Sequence, residues 1–357
     1  MKILFITDLY PIKEDEKNTP KTLLNFVKEW QKFHNVDIIK PNFILNSFIR
    51  KKPYYKSAKY NNVLNINYWT PFWFDITKKF SKFNIDLKSY DIVIAHMPSG
   101  ILFADKLNVP FVAGIHNSDL EVLTKPLYSI HFKVRMIKAL QNAKKIACRS
   151  YCIEKKLLNL FPNFKEKTFC ALSGIDEKLI TEKIYKKSDT IKVLTCANFI
   201  KRKNIDKVIK ALKNFEGFKL TVIGSGKEQK KLEKLDNKVE FKGRLSNPDV
   251  IKCMKENDIF ILPSINETFG MVYLEAMACG CITVCTKDDA IDGIIKDKEN
   301  GYLVKPDEKS IRELLTEIKN TDENTLNTIL QNTFDTVKNL TSSNCAQNYL
   351  ESIFKIS

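Results

Sequence analysis

Two glutamates, Glu267 and Glu275, stand eight residues apart in the stretch 261–280. The pattern predicts a strand that ends at Leu262, a loop that carries Glu267, and a helix that begins about Gly270 with Glu275 near its middle. The first amides of such a helix have no partner and lie at its positive dipole end, which suits a pyrophosphate or a sugar oxygen. A carboxylate just before the helix can accept hydrogen bonds from sugar hydroxyls, and one a turn inside can accept two from a ribose.

Two isolated glutamates would more often be ordinary helix residues, one favoured by the dipole and the other solvated. Glu275, however, lies between Leu274 and Ala276 on a helix that is otherwise almost wholly apolar. An ionised side chain in such surroundings needs a partner. We therefore interpret Glu267 and Glu275 as ligand-binding residues.

Strands and helices must position these residues. Along the chain, short apolar runs alternate with longer amphipathic segments, which is the pattern of parallel sheets with crossover helices. In the first half, strands are predicted near 2–7, 36–40, 63–68, 91–95, 110–115, 145–148 and 168–171, and helices near 19–34, 72–84, 99–107, 126–143 and 151–161. In the second half, strands are predicted near 191–197, 218–223, 239–242, 258–262, 281–285 and 301–304, and helices near 203–214, 227–235, 246–256, 270–279 and 307–319. The result is an α/β fold of two doubly wound sheets, with the break around 173–190. Ligands of such sheets bind at the carboxyl ends of the strands, so a cleft between the two domains is expected.

Glycine placement distinguishes the two halves. Only Gly100 and Gly114 lie in the first half, and the other nine of the eleven glycines follow. Gly224, Gly226 and Gly243 come just after predicted strands, where the backbone must turn tightly or approach a ligand. The second half is therefore interpreted as the nucleotide-binding half.

Composition limits the class of protein. The chain has 357 residues, enough for two α/β domains, and its formal charge of +16 implies an anionic partner such as a phosphate, a lipid head group or nucleic acid. No apolar run approaches the ~18 residues of a membrane span, and the start of the chain predicts a buried strand and not a secretion signal. The nine cysteines include no Cys-x-x-Cys pair. We interpret Cys279, Cys281 and Cys285 as apolar residues around a buried strand, not as metal ligands, and free thiols fit a reducing cytoplasm.

The segment from Pro263 to Gly280 resembles the Glu-x7-Glu signature of retaining, GT-B-fold glycosyltransferases of family 4. Further segments resemble that family in the same order along the chain: His116-Asn-Ser-Asp119, Ser173-Gly-Ile-Asp176, Val222-Ile-Gly-Ser-Gly226 and Val239-Glu-Phe-Lys-Gly243-Arg-Leu245. The resemblance implies two Rossmann-like domains that face each other across a cleft. Residues 1–175 would bind the acceptor, residues 176–340 would bind the nucleotide-sugar, and a helix within 341–357 would pack back on the first domain.

The resemblance also implies a role for each matching residue. Glu267, with the amides of Phe269 and Gly270, would hold the transferred sugar, and Glu275 would hold the ribose hydroxyls. His116 would line the sugar pocket near the reacting carbon. The remaining donor-binding residues would be Met271, Arg202, Asn198, Gly224, Gly243, Arg244 and Leu245, with the backbone around Arg244 contacting the base.

Lys203 would neutralise the departing diphosphate. In a lysine-rich chain the run 201–204 would usually be solvated, but here it follows the first strand of the second domain, which favours phosphate binding. The family pairs this lysine with an arginine five positions earlier, where this chain has Asn198. Arg202 is a candidate for the missing positive charge.

The resemblance implies retention at the anomeric carbon, and the sequence predicts no metal or other cofactor. Metal-dependent transferases place paired aspartates on a cation, but no Asp-x-Asp triplet occurs here, and the pair Asp288-Asp289 lies downstream of the signature. Lys203 and a helix N-terminus could stabilise the leaving diphosphate electrostatically instead.

A basic and aromatic stretch in the first domain is the candidate acceptor side. From Ile38 to Phe74 there is no acidic residue, and the stretch contains six basic residues and ten aromatics. This mixture suits an anionic membrane surface. The residues chosen for acceptor or membrane contact are Lys51, Lys52, Trp69 and Trp73. The other interpretation, that the aromatics pack inside the domain and the lysines are ordinary surface residues, stays open.

The favoured function is transfer of a hexose-type sugar from a nucleotide-diphosphate sugar to a glycan or lipid-linked acceptor in surface polysaccharide or glycoconjugate synthesis. A UDP-sugar is the favoured donor and a GDP-sugar is the alternative. The expected location is cytoplasmic and peripheral on the inner face of the plasma membrane, with no nucleic-acid partner. Two other functions stay open: a glucosyltransferase that modifies DNA, and a non-catalytic protein that binds nucleotides or glycans.

Overall fold

The structure is a computed structural model, and it describes residues 1–13, 22–45, 54–69, 80–125 and 130–355. These residues form two compact units. The N-terminal unit contains the described residues up to Arg149, Ile153–Leu172 and those from Cys345 on, and the C-terminal unit contains Ser150–Cys152 and Ser173–Asn344. The changes of unit near 172 and 344 lie within a few residues of the boundaries expected at 175 and 340.

The N-terminal unit is built on an eight-stranded sheet. Its strands are β1 (Lys2–Ile6), β2 (Asn35–Phe43), β3 (Ala58–Tyr60), β4 (Val63–Tyr68), β5 (Ile92–His96), β6 (Val112–Ile115), β7 (Lys145–Cys148) and β8 (Thr168–Cys170). Their order is β3-β4-β2-β1-β5-β6-β7-β8, in which only the β3–β4 pair is antiparallel. The crossover helices are α1 (Thr22–Gln31), α2 (Met97–Lys106), α3 (Asn117–Thr124), α4 (Ile130–Asn142) and α5 (Tyr151–Leu160). The central strands are buried on both faces, as expected of a parallel sheet covered by helices.

The C-terminal unit is built on a six-stranded parallel sheet. Its strands are β9 (Ile191–Cys196), β10 (Phe218–Ile223), β11 (Glu240–Gly243), β12 (Ile259–Leu262), β13 (Ile282–Thr286) and β14 (Tyr302–Val304), in the order β11-β10-β9-β12-β13-β14. Its helices are α6 (Ile205–Leu212), α7 (Gln229–Glu233), α8 (Asn247–Glu256), α9 (Met271–Ala278), α10 (Glu308–Asn320) and α11 (Glu323–Asn339). The expected fold of two doubly wound sheets is therefore confirmed.

Several sequence-based elements differ from the structure. The helix predicted over 126–143 is α4 alone, and a separate helix, α3, precedes it on residues 117–124. The short strand β3 and the helix α11 were not predicted. α11 is rich in Asn and Thr, which have low helix propensity, but Asp322 caps its start and its apolar residues face the core. Most of the helix predicted over 72–84 lies outside the described residues.

The last helix, α12 (Ser342–Phe354), supplies part of the core of the N-terminal unit. The indole N–H of Trp30 donates to the carbonyl of Ala346 at 2.9 Å. The ring of Tyr349, which is 1% exposed, packs edge-on against Phe26 and Trp30. These contacts tie the end of the chain to α1.

Each sheet has one point at which the strand order reverses. In the C-terminal unit, β9 pairs with β10 on one side and with β12 on the other. Crevices at such points bind ligands in open α/β sheets, at the carboxyl ends of the strands. The segments that leave these ends are 197–203 after β9 and 263–270 after β12, which places the two predicted donor-binding segments at the same edge.

Candidate active site

The loop after β9 is held by the glycine turn after β10. Gly226 approaches Phe199 so closely that an added Cβ would lie 2.6 Å from the carbonyl oxygen of Phe199, and at Gly224 it would lie 1.9 Å from that of Ala197. The amide of Phe199 donates to the carbonyl of Ser225 at 2.9 Å. These glycines therefore allow two backbones to pack together, so the close approach predicted from the sequence is to protein backbone.

The basic run 201–203 forms one 3-10 turn ahead of α6. It ends at Asn204, which adopts the left-handed conformation with φ of 51° and donates from its side chain to the carbonyl of Pro263 at 2.8 Å. The amide of Ile265 donates to the carbonyl of Arg202 at 2.9 Å. The segments after β9 and β12 are thus joined by one backbone–backbone and one side-chain–backbone hydrogen bond, which hold the basic run beside the loop that carries Glu267.

Glu267 accepts three side-chain hydrogen bonds on a single oxygen, Oε1. The donors are Arg202 Nη1 at 2.6 Å, Ser264 Oγ at 2.7 Å and Lys203 Nζ. The carboxylate and the lysine are 11% and 12% exposed, whereas the side chain of Arg202 is 40% exposed. For the other oxygen, Oε2, no partner is found among the residues that the structure describes. That oxygen is available to accept from a ligand hydroxyl.

The pKa of Glu267 reflects two opposed effects. Burial disfavours the charged form, but the charge and hydrogen bond of Lys203, the Ser264 hydroxyl and the charge of Arg202 outweigh it. The net result is that the pKa of Glu267 is lowered. Glu267 is therefore a carboxylate at neutral pH and can act as a hydrogen-bond acceptor for a sugar.

The N-terminus of α9 follows directly. Gly270 is in the left-handed region with φ of +82°, and a Cβ there would lie 2.6 Å from the ring of Tyr273. The hydroxyl of Tyr273 donates to the carbonyl of Leu262 at 2.7 Å, which fixes the helix against the end of β12. Within the described ranges, no hydrogen bond uses the amides of Phe269, Gly270 or Met271. These amides, at the positive end of the helix dipole, can donate to an anion or a sugar oxygen.

Glu275 lies on α9 near the end of β9. Burial raises its pKa, and no hydrogen bond or ion pair to its side chain is found in the described part of the chain. Burial and, after it, the charge of Glu275 raise the pKa of the Cys196 thiol to about 12, which places the carboxylate near the last residue of β9. A partly buried carboxylate without a protein partner is suited to accept hydrogen bonds from a ligand.

The remaining predicted donor-binding residues lie around β10 and β11. The amide of Gly224 donates to the carbonyl of Gly243 at 2.8 Å, and Gly243 is left-handed with φ of +66°. Arg244 and Asn198 are exposed, and Leu245 is half-buried. The structure brings Arg202, Lys203 and Glu267 into contact, whereas among the described residues Asn198 makes no hydrogen bond to that group.

His116 belongs to the N-terminal unit, where it follows β6 and is the N-cap residue of α3. Its Nε2 lies 2.9 Å from Nδ1 of His96, and Nε2 of His96 lies 2.8 Å from the hydroxyl of Tyr349. Burial and then the charge of Arg149 lower the pKa of His116 to about 3. His116 is therefore uncharged at neutral pH. Its assignment to the sugar pocket stays a prediction.

His96 is the last residue of β5. Its side chain is fully buried, and burial lowers its pKa, followed by the charges of His116 and Arg149. Gly114 makes room for the ring, because a Cβ there would lie 2.2 Å from it. His96 and Tyr349 therefore hold the ring of His116, a contact that sequence reasoning missed because it joins β5, β6 and the last helix.

The residues chosen for acceptor or membrane contact are only partly described. Trp69 is 59% exposed just after β4, whereas Lys51, Lys52 and Trp73 lie outside the described residues. Lys40, counted among the basic residues of this stretch, is buried and donates to the carbonyl of Tyr10 at 2.6 Å. Lys40 is thus a structural residue.

Asp289 is a further residue of the site that the sequence did not single out. Its carboxylate accepts from the amides of Asn266, Glu267 and Ala290 at 2.6, 2.8 and 2.7 Å. The only signal was its position after β13, the neighbour of β12 in the sheet.

Two general features of the described residues bear on the chemistry. Among them, no group of three or more His, Cys, Asp or Glu side chains is placed to hold a metal ion, and the nine cysteines are free thiols. In the same part of the chain, no helix has the length and apolar character needed to cross a membrane.

Two open, largely parallel sheets covered by helices are the architecture of GT-B glycosyltransferases. A solved structure of Alr3699/HepE from Anabaena, in complex with UDP, has the same fold, with a TM-score of 0.74, 18% identity and coverage of 99% of both chains. At this level of identity the likeness concerns the fold.

Sequence comparison points to the same class of enzyme. Residues 176–333 match the model of glycosyl transferases group 1. An uncharacterized glycosyltransferase of Methanocaldococcus jannaschii, MJ1178, is 28% identical over 69% of this chain and 70% of its own length. The alpha-monoglucosyldiacylglycerol synthase of Acholeplasma laidlawii is 25% identical over 44% of this chain, an alignment that spans 41% of the synthase. The protein is a glycosyltransferase.

Proposed function

We propose that the protein is a retaining glycosyltransferase that moves a hexose-type sugar from a nucleotide-diphosphate sugar without a metal ion. The acceptor is a glycan or a lipid-linked sugar in the synthesis of surface polysaccharide or glycoconjugate. The observation that carries the proposal is the state of Glu267. One of its oxygens is saturated by Arg202, Lys203 and Ser264, and the other is open beside unpaired amides at the start of α9.

Each part of the donor, from the ribose to the transferred sugar, is bound by a group of matching chemistry. Glu275 accepts from the ribose hydroxyls, the α9 amides and the two cations face the diphosphate, and Glu267 Oε2 accepts from a sugar hydroxyl. Negative charge develops on the leaving diphosphate as the glycosidic bond breaks. Lys203 and Arg202 are fixed before the reaction by their contact with Glu267, so they stabilise that charge without reorganising. Arg202 thereby takes the place of an arginine at position 198.

Retention places the acceptor on the face from which the diphosphate leaves. This part of the proposal rests on the match of residues 263–280 to the Glu-x7-Glu signature. His116, uncharged at neutral pH, is proposed to contact the sugar near the reacting carbon as a neutral hydrogen-bonding group.

The proposed donor base is uracil, with guanine as the alternative. The structural neighbour HepE was solved with UDP, and in this chain the turn formed by Gly224 and Gly243 lies ahead of Arg244, the position assigned to the base. A lipid-linked acceptor is supported by the name of the Acholeplasma relative, a diacylglycerol glucosyl synthase.

The proposed location is the cytoplasmic face of the plasma membrane, with the N-terminal unit against anionic lipid. The exposed Trp69 and the basic residues of 50–59 support it, because a Lys or Arg near an anionic surface contributes about 1 kcal/mol. Flotation with vesicles of anionic and of zwitterionic lipid tests this part. We expect binding only to the anionic vesicles, weakened by Trp69→Ser; equal binding to both would contradict it.

The function is tested by a panel of UDP, GDP and ADP sugars, with release of the nucleotide as the measured quantity. Turnover is expected with one donor class and is expected to be lost in Glu267→Gln, which keeps the shape of the side chain. The anomeric configuration of the product, determined by NMR, should equal that of the donor. Inversion, or equal turnover in Glu267→Gln, would refute the proposal.

A further inference from the structure

Asp289 stands out because it binds the loop of Glu267 through the backbone. It lies three residues beyond β13, and its side chain is 7% exposed. Oδ2 accepts from the amide of Asn266 at 2.6 Å, and Oδ1 accepts from the amides of Glu267 at 2.8 Å and Ala290 at 2.7 Å. No basic side chain pairs with it within the described residues. A buried carboxylate with three amide donors is a built-in anchor for these amides.

The backbone around these bonds is strained. Asn266, Asp288 and Ala290 have φ values of 59°, 61° and 52°, in the left-handed region that non-glycine residues avoid. Such conformations are unfavourable and persist only where the surroundings determine them. Asp289 joins the two strained segments, so its carboxylate is a reason for both to keep these conformations.

Asp289 anchors the backbone of Glu267, the residue whose side chain is proposed to bind the sugar. Two separate sets of partners hold Glu267. Its amide donates to Asp289, and its Oε1 accepts from Arg202, Lys203 and Ser264. Removing Asp289 leaves the side-chain bonds in place but frees the backbone of the loop. The direction of the open Oε2 then varies.

We infer that Asp289 is a positioning residue that sets the place of Glu267 for the sugar part of the donor. The inference rests on the proposed function, in which Glu267 holds the transferred sugar. Among the described residues, Asp289 has no hydrogen bond or ion pair with the basic turn or with Glu275, so we expect its loss to leave nucleotide binding largely unchanged. The anchor by Asp289 therefore affects recognition of the sugar separately from recognition of the nucleotide, although both sites lie in the C-terminal unit.

The test compares Asp289→Ala and Asp289→Asn with the wild type. Asparagine keeps an acceptor for Glu267 and Ala290 but turns an amide group toward Asn266, so it should have the smaller effect. The matched control is Asp322→Asn, because Asp322 also accepts a backbone amide, from Thr325 at 2.9 Å, at the start of a helix in the same unit.

The first readout is kinetic and uses UDP and UDP-glucose, or GDP and GDP-mannose if the wild type binds only GDP. In Asp289→Ala we expect kcat to fall by about 100-fold, since a displacement of about 1 Å can have this effect. The Kd of the free nucleotide should stay within about twofold of the wild type, as expected of a substitution that is independent of the nucleotide site. Unchanged kcat in a folded variant, or an equal loss of nucleotide binding, would overturn the inference.

The second readout needs no donor. Hydrogen exchange at the amides of Asn266 and Glu267 should be faster in Asp289→Ala and unchanged in Asp322→Asn. If exchange at these amides is unaffected, Asp289 does not anchor the loop and the inference falls. A third outcome is faster exchange in Asp289→Ala together with a wild type that turns over no sugar nucleotide. In that case Asp289 does anchor the loop, but the proposed function is overturned, and with it the role of Asp289 in that function.

Discussion

Replacing Lys203 by methionine removes one of the two cations on Oε1 of Glu267 and keeps a side chain of similar length. Lys203 and Glu267 are 12% and 11% exposed, so their contact is largely shielded from water. A hydrogen bond to a charged group contributes about 1.5–3 kcal/mol, whereas an exposed ion pair contributes about 0–1 kcal/mol. We expect Lys203→Met to lower the free energy of unfolding of the C-terminal unit by about 1.5–3 kcal/mol. Arg202→Met, at the more exposed partner, should lower it by about 1 kcal/mol or less.

Thermal unfolding followed by calorimetry measures these differences, and a loss of this size lowers the midpoint by about 3–12 °C. The double variant Lys203→Met/Glu267→Gln should recover part of the loss, because it removes the carboxylate left with one cation. Turnover should stay about 10²–10³-fold below that of the wild type in both the single and the double variant, as expected for loss of one group that stabilises the transition state. If the two substitutions are additive within about 0.5 kcal/mol, the ion pair is absent in solution and the reasoning is refuted.

The pH dependence of this contribution has a definite sign. The pKa of Glu267 is lowered from its ordinary value of 4.5, so its stabilising effect is complete above that value and is lost as the pH falls through the lower folded pKa. Glu267→Gln should remove this part of the acid sensitivity.

Three other substitutions give independent checks. Glu275→Gln should abolish nucleotide binding in calorimetric titration yet leave the free protein at least as stable at pH 7, since burial raises the pKa of Glu275 and disfavours its charge; the difference should shrink as the pH falls below that raised value and vanish below the ordinary value of 4.5. Gly270→Ala should lower the free energy of unfolding by more than about 1 kcal/mol in urea denaturation, because φ is +82° and the Tyr273 ring lies 2.6 Å from the new Cβ. For His116, with a pKa lowered from 6.5 to about 3, stability should fall as the pH drops below 6.5, by at most about 1.4 kcal/mol per pH unit, and His116→Gln should reduce this slope in urea titrations at several pH values.

The sequence predicted the fold well because the relevant signals are local. Each central strand is a short apolar run, and the starts of helices such as α8 and α10 carry capping residues, Ser246 and Asp307. α11 was missed because its sequence is rich in Asn and Thr and because tertiary burial, not propensity, stabilises it. The boundary between α3 and α4 was missed for a similar reason, since the capping bond from the His116 amide to Asp119 is not part of an apolar pattern.

The candidate site was predictable in its members but not in their contacts. The glutamate signature and the basic turn could be identified along the chain, but the contact of Glu267 with Lys203 and Arg202 depends on β12 lying next to β9. Asp289 could be recognised only by its position after β13, because its contacts depend on left-handed backbone on both sides. Likewise, the position of His96 after a strand end did not reveal that Tyr349, 253 residues later, closes over it.

The central claim is that Lys203, Arg202 and the amides of α9 hold a sugar diphosphate without a divalent cation. Turnover of the preferred nucleotide sugar, measured in EDTA and in magnesium for the wild type and for Lys203→Met, tests it most directly. We expect equal turnover in both buffers for the wild type, and a large loss of turnover in both buffers for Lys203→Met. Activity that EDTA abolishes and magnesium restores would contradict it.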